Sequence, residues 1–176
     1  SSDVCSSDLD LSAFYCRRMN VLRDAIALTP DYLASAGMPI GSNLMDTGIP
    51  LGRRFRALKL WMVLRSFGVE GLREVLARHI ALAARFARQV DAHPHFELTA
   101  PSPFSVVCFR WRPGTTTTMT EAQIDTANQT LLDRVNATGE VLLSFGRLHG
   151  RFTLRVAIGH ILTEERHVDR AWSIVT

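Results

Sequence analysis

The apolar positions of this chain change their spacing near residue 96, from the period of helices to the alternation of strands. A helix is predicted over residues 70–92, where apolar side chains recur every three to four residues along one face. That face carries Leu72, Val75, Leu76, His79, Ile80, Ala83, Phe86, Ala87 and Val90. A second apolar helix is predicted over residues 53–67, ending near Gly68, and a shorter one over residues 21–28.

The second half of the chain follows a strand-rich pattern that is interrupted by two helices. The four predicted strands cover residues 96–99, 104–111, 140–145 and 151–158. A helix with an apolar face separates the second strand from the third, and another follows the fourth. The order of strand, strand, helix, strand, strand, helix predicts an antiparallel sheet with helices packed on one face, which is a compact α+β unit.

Local signals refine this half of the chain. Thr120 and Gln123 form a capping box that begins the first of the two helices, and Thr163 is predicted to cap the second. Alternation in the third strand places on one side Val141, Leu143 and Phe145. Alternation in the fourth strand places on one side Phe152, Leu154, Val156 and Ile158.

Composition and charge exclude several classes of function. Apolar residues make up 47% of the chain, which is enough to fill a core. The net charge of +3 is small and the basic residues are spread out, so no nucleic-acid partner is expected. No apolar run reaches the length of a membrane span, and no secretory signal pattern is present. A cytoplasmic location with reduced thiols is expected from three widely spaced cysteines, Cys5, Cys16 and Cys108.

The histidines of the long predicted helix do not indicate a metal site. His79 lies on the apolar face, where a packing histidine is a better interpretation than a catalytic one. His93 and His95 flank Pro94 at the helix end, without a carboxylate or thiol placed beside them. We therefore interpret these two as part of a turn and expect no metal site.

One string of the chain combines a Pro-Gly turn with an Arg-rich apolar helix: Ile49-Pro50-Leu51-Gly52-Arg53-Arg54-Phe55-Arg56-Ala57-Leu58-Lys59-Leu60-Trp61. The glycine permits a close backbone approach, and the amides at a helix start can bind a phosphate. As a string it resembles the pyridoxal-phosphate (PLP) dependent aromatic-L-amino-acid decarboxylases, the group II decarboxylases. The resemblance continues over roughly residues 10–175 and implies PLP as the cofactor.

The resemblance implies an α/β fold class, comprising the end of the large domain and the small C-terminal α+β domain of a fold-type I PLP enzyme. In that family the Schiff-base lysine lies in an Asn-Pro-His-Lys-Trp motif just before a strand that reads like residues 10–15. The matching position here is Asp3, and the motif is absent. The single lysine, Lys59, is expected to pack its stem along a helix with its ammonium group in solvent.

We therefore expect a C-terminal fragment that is inactive alone, with the Schiff-base lysine outside it. Residues 1–9 repeat Ser-Ser-Asp and resemble translated adapter sequence, and a natural polar tail is the alternative. The expected segments are a non-native tail at 1–9, a remnant of the PLP-binding large domain at 10–68 with a catalytic loop at 29–48, a connecting helix at 69–95, and the small C-terminal domain at 96–176.

Two parts of the resemblance imply site residues in the first third of the chain. Tyr32 stands in the string Pro30-Asp31-Tyr32-Leu33, where the family has a loop tyrosine that protonates the carbanion left after CO2 departs. Relatives with phenylalanine there tend toward aldehyde formation. Gly52 is the implied cofactor contact, reaching the phosphate and the substrate pocket of the other subunit, and Leu51 lines that pocket. A surface role for Tyr32 and a steric role for Gly52 are the alternatives.

Arg155 is the remaining candidate. It lies on the strand face opposite the apolar side chains, in the string Leu154-Arg155-Val156-Ala157. The family has an arginine in the matching string near its active site. Arg155 is therefore predicted to bind the substrate carboxylate, and a structural salt bridge is the alternative.

The resulting prediction is a piece of a decarboxylase that converts an aromatic L-amino acid to its amine and CO2. Its expected partners are a second copy of the same chain in a homodimer and the amino-acid substrate. Glycine at position 52 leaves room for an indole or catechol ring. A non-catalytic dimerisation module and a PLP-dependent aldehyde synthase or glutamate-type decarboxylase are the alternatives.

Overall fold

The computed structural model describes residues 15–26, 55–114 and 118–176. Within these ranges the elements, in order, are α1 (Met19–Ile26), α2 (Arg56–Ala92), β1 (Phe96–Leu98), β2 (Val106–Trp111), α3 (Glu121–Ala137), β3 (Ser144–Leu148), β4 (Arg151–Ala157) and α4 (Glu165–Val175). The chain forms two compact units, of which the larger contains Phe67–Thr176 and the smaller lies within Leu9–Ser66. None of the described helices combines the length and apolar character needed to cross a membrane.

Helix α2 is interrupted at Gly68, as the sequence predicts. The backbone there has φ +66° and ψ 177°, a conformation open essentially to glycine alone. The helix resumes immediately and continues to Ala92. The second half buries the predicted apolar face, including Ala83, Phe86 and Val90, whereas Leu76 and Ile80 on the same face stay exposed.

Replacing Gly68 by alanine is expected to lower the free energy of unfolding by about 1–3 kcal/mol. A Cβ built at Gly68 meets no heavy atom within 4 Å, so the cost comes from the backbone conformation and not from a clash. Urea denaturation monitored by circular dichroism measures this change in the free energy of unfolding. The matched control is Gly71→Ala, whose Cβ lies at an ordinary 3.6 Å from the Phe67 Cβ within the helix and should be neutral or stabilising. Equal destabilisation by both variants would contradict backbone strain at Gly68.

The four strands form one antiparallel sheet in the order β1-β2-β4-β3. In the central pair, Val107 lies opposite Val156 and Phe109 opposite Leu154. Hairpin β3–β4 closes at His149 and Gly150, which both have positive φ. The antiparallel sheet predicted from the sequence is confirmed.

The core lies between α2, the sheet, α3 and α4. Phe86 of α2 packs its ring edge-to-face against Phe109 of β2 at 5.3 Å and against Trp172 of α4 at 5.5 Å. The predicted buried side of β4 is confirmed, because the following residues are all buried: Phe152, Leu154, Val156 and Ile158. The capping box of Thr120 and Gln123 is also present.

Two predicted details are wrong. Strand β3 begins at Ser144 and not at residue 140, because the Asn136 side chain satisfies both the N–H of Leu143 at 2.8 Å and its C=O at 3.0 Å. Leu143 is buried, but Phe145 is 54% exposed on this edge strand and stacks on the Phe152 ring. The N-cap of α4 is Glu164 and not Thr163, because the Nδ1 atom of His167 accepts the Glu164 N–H.

Helix α4 is tied to α2 by ion pairs. Arg85 donates two hydrogen bonds to the Asp169 carboxylate, at 2.8 and 2.9 Å, and lies 3.3 Å from Glu165. The hydrogen bond from Arg85 holds the pKa of Asp169 below its usual value, so this carboxylate stays ionised at neutral pH. The pairing fixes the register of the two helices around Phe86.

Candidate functional site

Three of the four predicted site residues lie outside the described residues. These are Tyr32, Leu51 and Gly52. Their proposed roles therefore remain predictions of the sequence. Among the residues that the structure describes, no group of three or more His, Cys, Asp or Glu side chains could hold a metal ion.

Arg155 lies in the middle of β4, between two other strands. It is opposite Cys108 of β2 and opposite Ser144 of β3, which gives a row of three polar side chains across the sheet. Its neighbours Leu154 and Val156 are buried in the core, so strand alternation places Arg155 on the other face. We call Cys108, Arg155 and Ser144 the sheet row.

The Arg155 guanidinium is half-buried and has no carboxylate partner in the part of the chain that the structure describes. Its backbone is held between strands on both sides, which fixes the root of the side chain. A guanidinium so placed can bind a carboxylate by donating two parallel hydrogen bonds to its oxygens. Among the described residues, therefore, no carboxylate forms the structural salt bridge that was the alternative role for Arg155.

Lys59 lies in the first turn of α2, with its side chain exposed. A lysine that bonds covalently to PLP needs a desolvated or charge-tuned pocket that lowers its pKa and frees its lone pair. The exposed position of Lys59 does not fit that role.

The sequence analysis missed a buried polar cluster beside the sheet row. Arg110 of β2 has a side chain only 2% exposed, and its guanidinium contacts Glu121 at 3.1 Å and Asp125 at 3.4 Å. Arg147 contacts the other oxygen of Asp125 at 3.0 Å, and Arg151 lies 3.8 Å from Glu121. Burial of Arg110 is tolerated because two carboxylates face it.

The first turns of α3 separate the ends of β2 and β4. Asp125 accepts the N–H of Phe152 at 3.0 Å, and Asn128 accepts the Trp111 N–H at 2.7 Å while donating to the Trp111 C=O at 2.9 Å. These side chains replace ladder bonds where the β2–β4 pairing ends at Phe109 and Leu154. In the sequence, the only sign of the polar cluster around Arg110 is an arginine within the otherwise apolar string of β2.

The interpretation of His79 as a packing residue is confirmed. It is 4% exposed on α2, and its Nε2 atom lies 3.1 Å from the His160 carbonyl oxygen. That contact joins α2 to the segment that follows β4. His79 therefore has a structural partner that accounts for its position.

Comparison with known proteins identifies relatives along 96% of the chain. A sequence profile described as the pyridoxal-dependent decarboxylase conserved domain matches residues 3–112. Tryptophan decarboxylase 2 of Oryza sativa subsp. japonica is 39% identical over 171 residues, covering 96% of this chain and 34% of the relative. Phenylacetaldehyde synthase of Arabidopsis thaliana is 40% identical over 173 residues, with the same two coverages. The chain thus spans about a third of the length of these curated relatives.

Comparison with solved structures shows that relatives of the same family share the fold of this chain. The crystal structure of Oryza sativa TDC with PLP and tryptamine superposes with a TM-score of 0.68 at 41% identity, covering 76% of this chain and 28% of that one. Mouse CSAD in its apo form superposes with a TM-score of 0.72 at 18% identity, covering 90% of this chain and 34% of that one, which shows a shared fold. The predicted α/β fold class is confirmed.

Proposed function

The chain belongs to the pyridoxal-dependent decarboxylase family, and from that premise we propose that its protein converts an aromatic L-amino acid into the amine and CO2. The observation that carries the proposal is the family profile over residues 3–112. The tryptophan decarboxylase from rice, at 39% identity, supports an aromatic substrate. Bound PLP supplies an electron sink for the electrons left when the carboxylate departs.

The proposed roles of the chain's residues follow from their chemistry. Tyr32 donates a proton to the substrate carbon after CO2 leaves. Gly52 brings its backbone close to the cofactor phosphate, and Leu51 lines the substrate pocket beside it. Arg155 is proposed to bind the substrate carboxylate, which is supported by its lack of a carboxylate partner among the described residues and by its fixed position in the sheet row.

A second candidate function is the oxidative formation of an aldehyde. The phenylacetaldehyde synthase from Arabidopsis thaliana, at 40% identity, is the observation that favours it. The presence of tyrosine at position 32 favours the amine, because a proton donor there competes with oxygen for the carbanion. A cytoplasmic location is also part of the proposal and is supported by the free thiols of Cys16 and Cys108.

The activity can be tested with a full-length enzyme that carries this chain. Incubation with PLP and L-tryptophan or L-tyrosine should release CO2 and the matching amine, measured by chromatography. L-Glutamate is the contrasting substrate and should give little product. If the enzyme decarboxylates glutamate and neither aromatic amino acid, the proposed substrate class is wrong.

The 176-residue chain is expected to form no covalent PLP adduct at Lys59. The reason is that Lys59 is exposed in the first turn of α2 and lacks the pocket such a lysine requires. Borohydride reduction of a stoichiometric mixture, followed by peptide mass spectrometry, is the measurement. Lys59→Arg serves as the control and should show the same absence of a stoichiometric adduct. A stoichiometric adduct on Lys59 would overturn the assignment.

We propose that a second copy of the chain covers the apolar first half of α2. This stretch, together with Phe55 just before it, exposes six large apolar side chains at 39–74% of their surface, namely Phe55, Leu58, Trp61, Met62, Leu64 and Phe67. Such a contiguous exposed set is typical of a protein interface. A homodimer, the assembly that the family resemblance implies, would cover these side chains.

Trp61→Glu in the full-length enzyme should shift the dimer toward monomer by about 30-fold or more in the dissociation constant. Trp61 is 57% exposed at the centre of the apolar stretch, so a carboxylate there would be buried without a partner. Sedimentation velocity measures the shift. Leu142→Glu is the matched control, because Leu142 is 86% exposed and lies elsewhere on the chain. A dimer as stable as the unsubstituted one would refute this interface.

A further inference from the structure

Gly146 of β3 is a glycine that the backbone conformation does not require. Its φ is not positive, unlike that of Gly68 and Gly150, so other residues can adopt the same strand geometry. A glycine inside a strand weakens it, because it has no side chain to pack and loses more conformational freedom on folding. Such a glycine often marks a place where another group approaches closely. The surroundings of Gly146 therefore indicate why a side chain is missing there.

The side chain of Arg155 lies across Gly146. Gly146 pairs with Thr153, two residues before Arg155 on β4, so Gly146 and Arg155 are diagonal neighbours on one face of the sheet. An ideal Cβ built on Gly146 would lie 3.9 Å from the Arg155 Cδ. Within the described part of the chain, no other heavy atom outside Gly146 and its two chain neighbours lies within 4 Å of that point. We call the space that a side chain at position 146 would fill the Gly146 gap.

The size of the Gly146 gap matches the stem of the arginine. A separation of 3.9 Å is ordinary carbon–carbon contact, so a single methyl group at position 146 would touch the Arg155 stem without moving it. A larger side chain would place further carbons where the stem now lies. The missing side chain thus leaves the Arg155 stem a path along the sheet.

The strand residue opposite the gap is covered as well. Thr153 is only 2% exposed, although strand alternation places it with Arg155 on the face away from the core. The path from the Arg155 backbone to Gly146 passes beside Thr153, and Arg155 itself is half-buried. The stem of Arg155 therefore lies along the sheet surface and does not stand away from it.

We propose that Gly146 is a positioning residue for Arg155, and that the Gly146 gap sets the direction in which the guanidinium meets the substrate carboxylate. Pairing with β2 and β3 fixes only the backbone of Arg155, whereas its side chain has several rotatable bonds. Two parallel hydrogen bonds to a carboxylate form only when the planar guanidinium arrives in the matching orientation. This inference rests on the proposed carboxylate-binding role of Arg155.

Gly146→Val in a full-length enzyme that carries this chain is the test. The branched side chain has a stiff χ1 and would occupy the gap, which turns the Arg155 stem aside. KM for the aromatic amino acid should rise about tenfold, while kcat stays within about threefold, because the lost contact serves binding. Gly146→Ala should raise KM by less than about threefold, since its methyl group only reaches contact distance.

Two controls separate positioning from a general disturbance of the strand. Phe145→Val puts the same new side chain one residue away, on the opposite face of β3, and should leave KM within about twofold of the parent. The amine product is the second control, because it lacks the carboxylate. Its inhibition constant should be the same for Gly146→Val and for the parent. Equal rises in KM for Gly146→Val and Phe145→Val would overturn the proposal.

The outcome for Gly146 can be told apart from the outcome for Arg155. Arg155→Gln alone should raise KM by about tenfold or more, and an unchanged KM would overturn the carboxylate-binding role together with this inference. If Arg155→Gln raises KM and Gly146→Val does not, Arg155 keeps its role and positioning by Gly146 is wrong. In the Arg155→Gln background, Gly146→Val should change KM by less than about twofold, because the two residues act through one contact.

A crystal structure of the full-length Gly146→Val enzyme measures the position of the stem directly. The Arg155 Cδ should leave its place over position 146, while the pairing of β3 with β4 is kept. A stem that remains over position 146 would overturn the proposal, whatever the value of KM.

Discussion

Phe86→Ala should destabilise the larger unit by about 3–5 kcal/mol, the largest effect on stability that we expect from one substitution. Phe86 is fully buried, and its ring touches Phe109 and Trp172 edge-to-face at 5.3 and 5.5 Å. These contacts join α2, β2 and α4, so truncation leaves a cavity between three elements that cannot collapse together easily. Urea denaturation followed by tryptophan fluorescence gives the free energy of unfolding.

The matched control is Phe145→Ala in the same unit. This substitution removes a ring of the same size, but Phe145 is 54% exposed. Its ring stacks on the ring of Phe152, at 5.0 Å between centroids. Its loss should cost about 1 kcal/mol or less. If the two variants cost the same, the core is not centred on Phe86 as the structure indicates.

The parts of the fold that follow from local pattern could be predicted from the sequence. The large apolar residues of β4 occupy alternate positions and are all buried, although Thr153 on the other face is buried as well, and Thr120 caps α3 through a bond to a residue three positions away. The start of β3 and the cap of α4 could not be predicted in this way. Asn136 replaces the strand ladder at Leu143, and the Nδ1 atom of His167 accepts the N–H of Glu164 at the start of α4. Both features depend on hydrogen bonds between single side chains and the backbone, which the spacing of apolar residues does not predict.

The candidate site depends on contacts between distant segments. The sequence placed Arg155 on one face of a strand, but only the strand order β1-β2-β4-β3 brings Cys108 and Ser144 to either side of it. Arg110 was not predicted to be buried, because an arginine in a strand is ordinarily a surface residue. Its burial follows from the position of Asp125 in α3, which separates the strand ends.

Tyr32→Phe, in a full-length enzyme that carries this chain, should divert the reaction from amine toward aldehyde. The phenol is proposed to donate a proton to the substrate carbanion that remains after CO2 leaves, and removing such a general acid lowers the rate of its step by about 10²- to 10⁴-fold. The longer-lived carbanion then reacts with O2, giving aldehyde, ammonia and hydrogen peroxide after water is added. PLP binding should be retained because the aromatic ring remains.

Product analysis under air, with L-tryptophan or L-tyrosine as substrate, measures amine, aldehyde and peroxide together. Tyr15→Phe is the matched control, since the chain has two tyrosines and Tyr15 is 90% exposed in the described part of the structure. The control should make amine at the parent rate. Under argon the Tyr32→Phe enzyme should lose its aldehyde product, because the competing reaction needs O2. If Tyr32→Phe makes amine at the parent rate in air without aldehyde or peroxide, then Tyr32 is a loop residue without a catalytic role, and proton delivery must be assigned to another group.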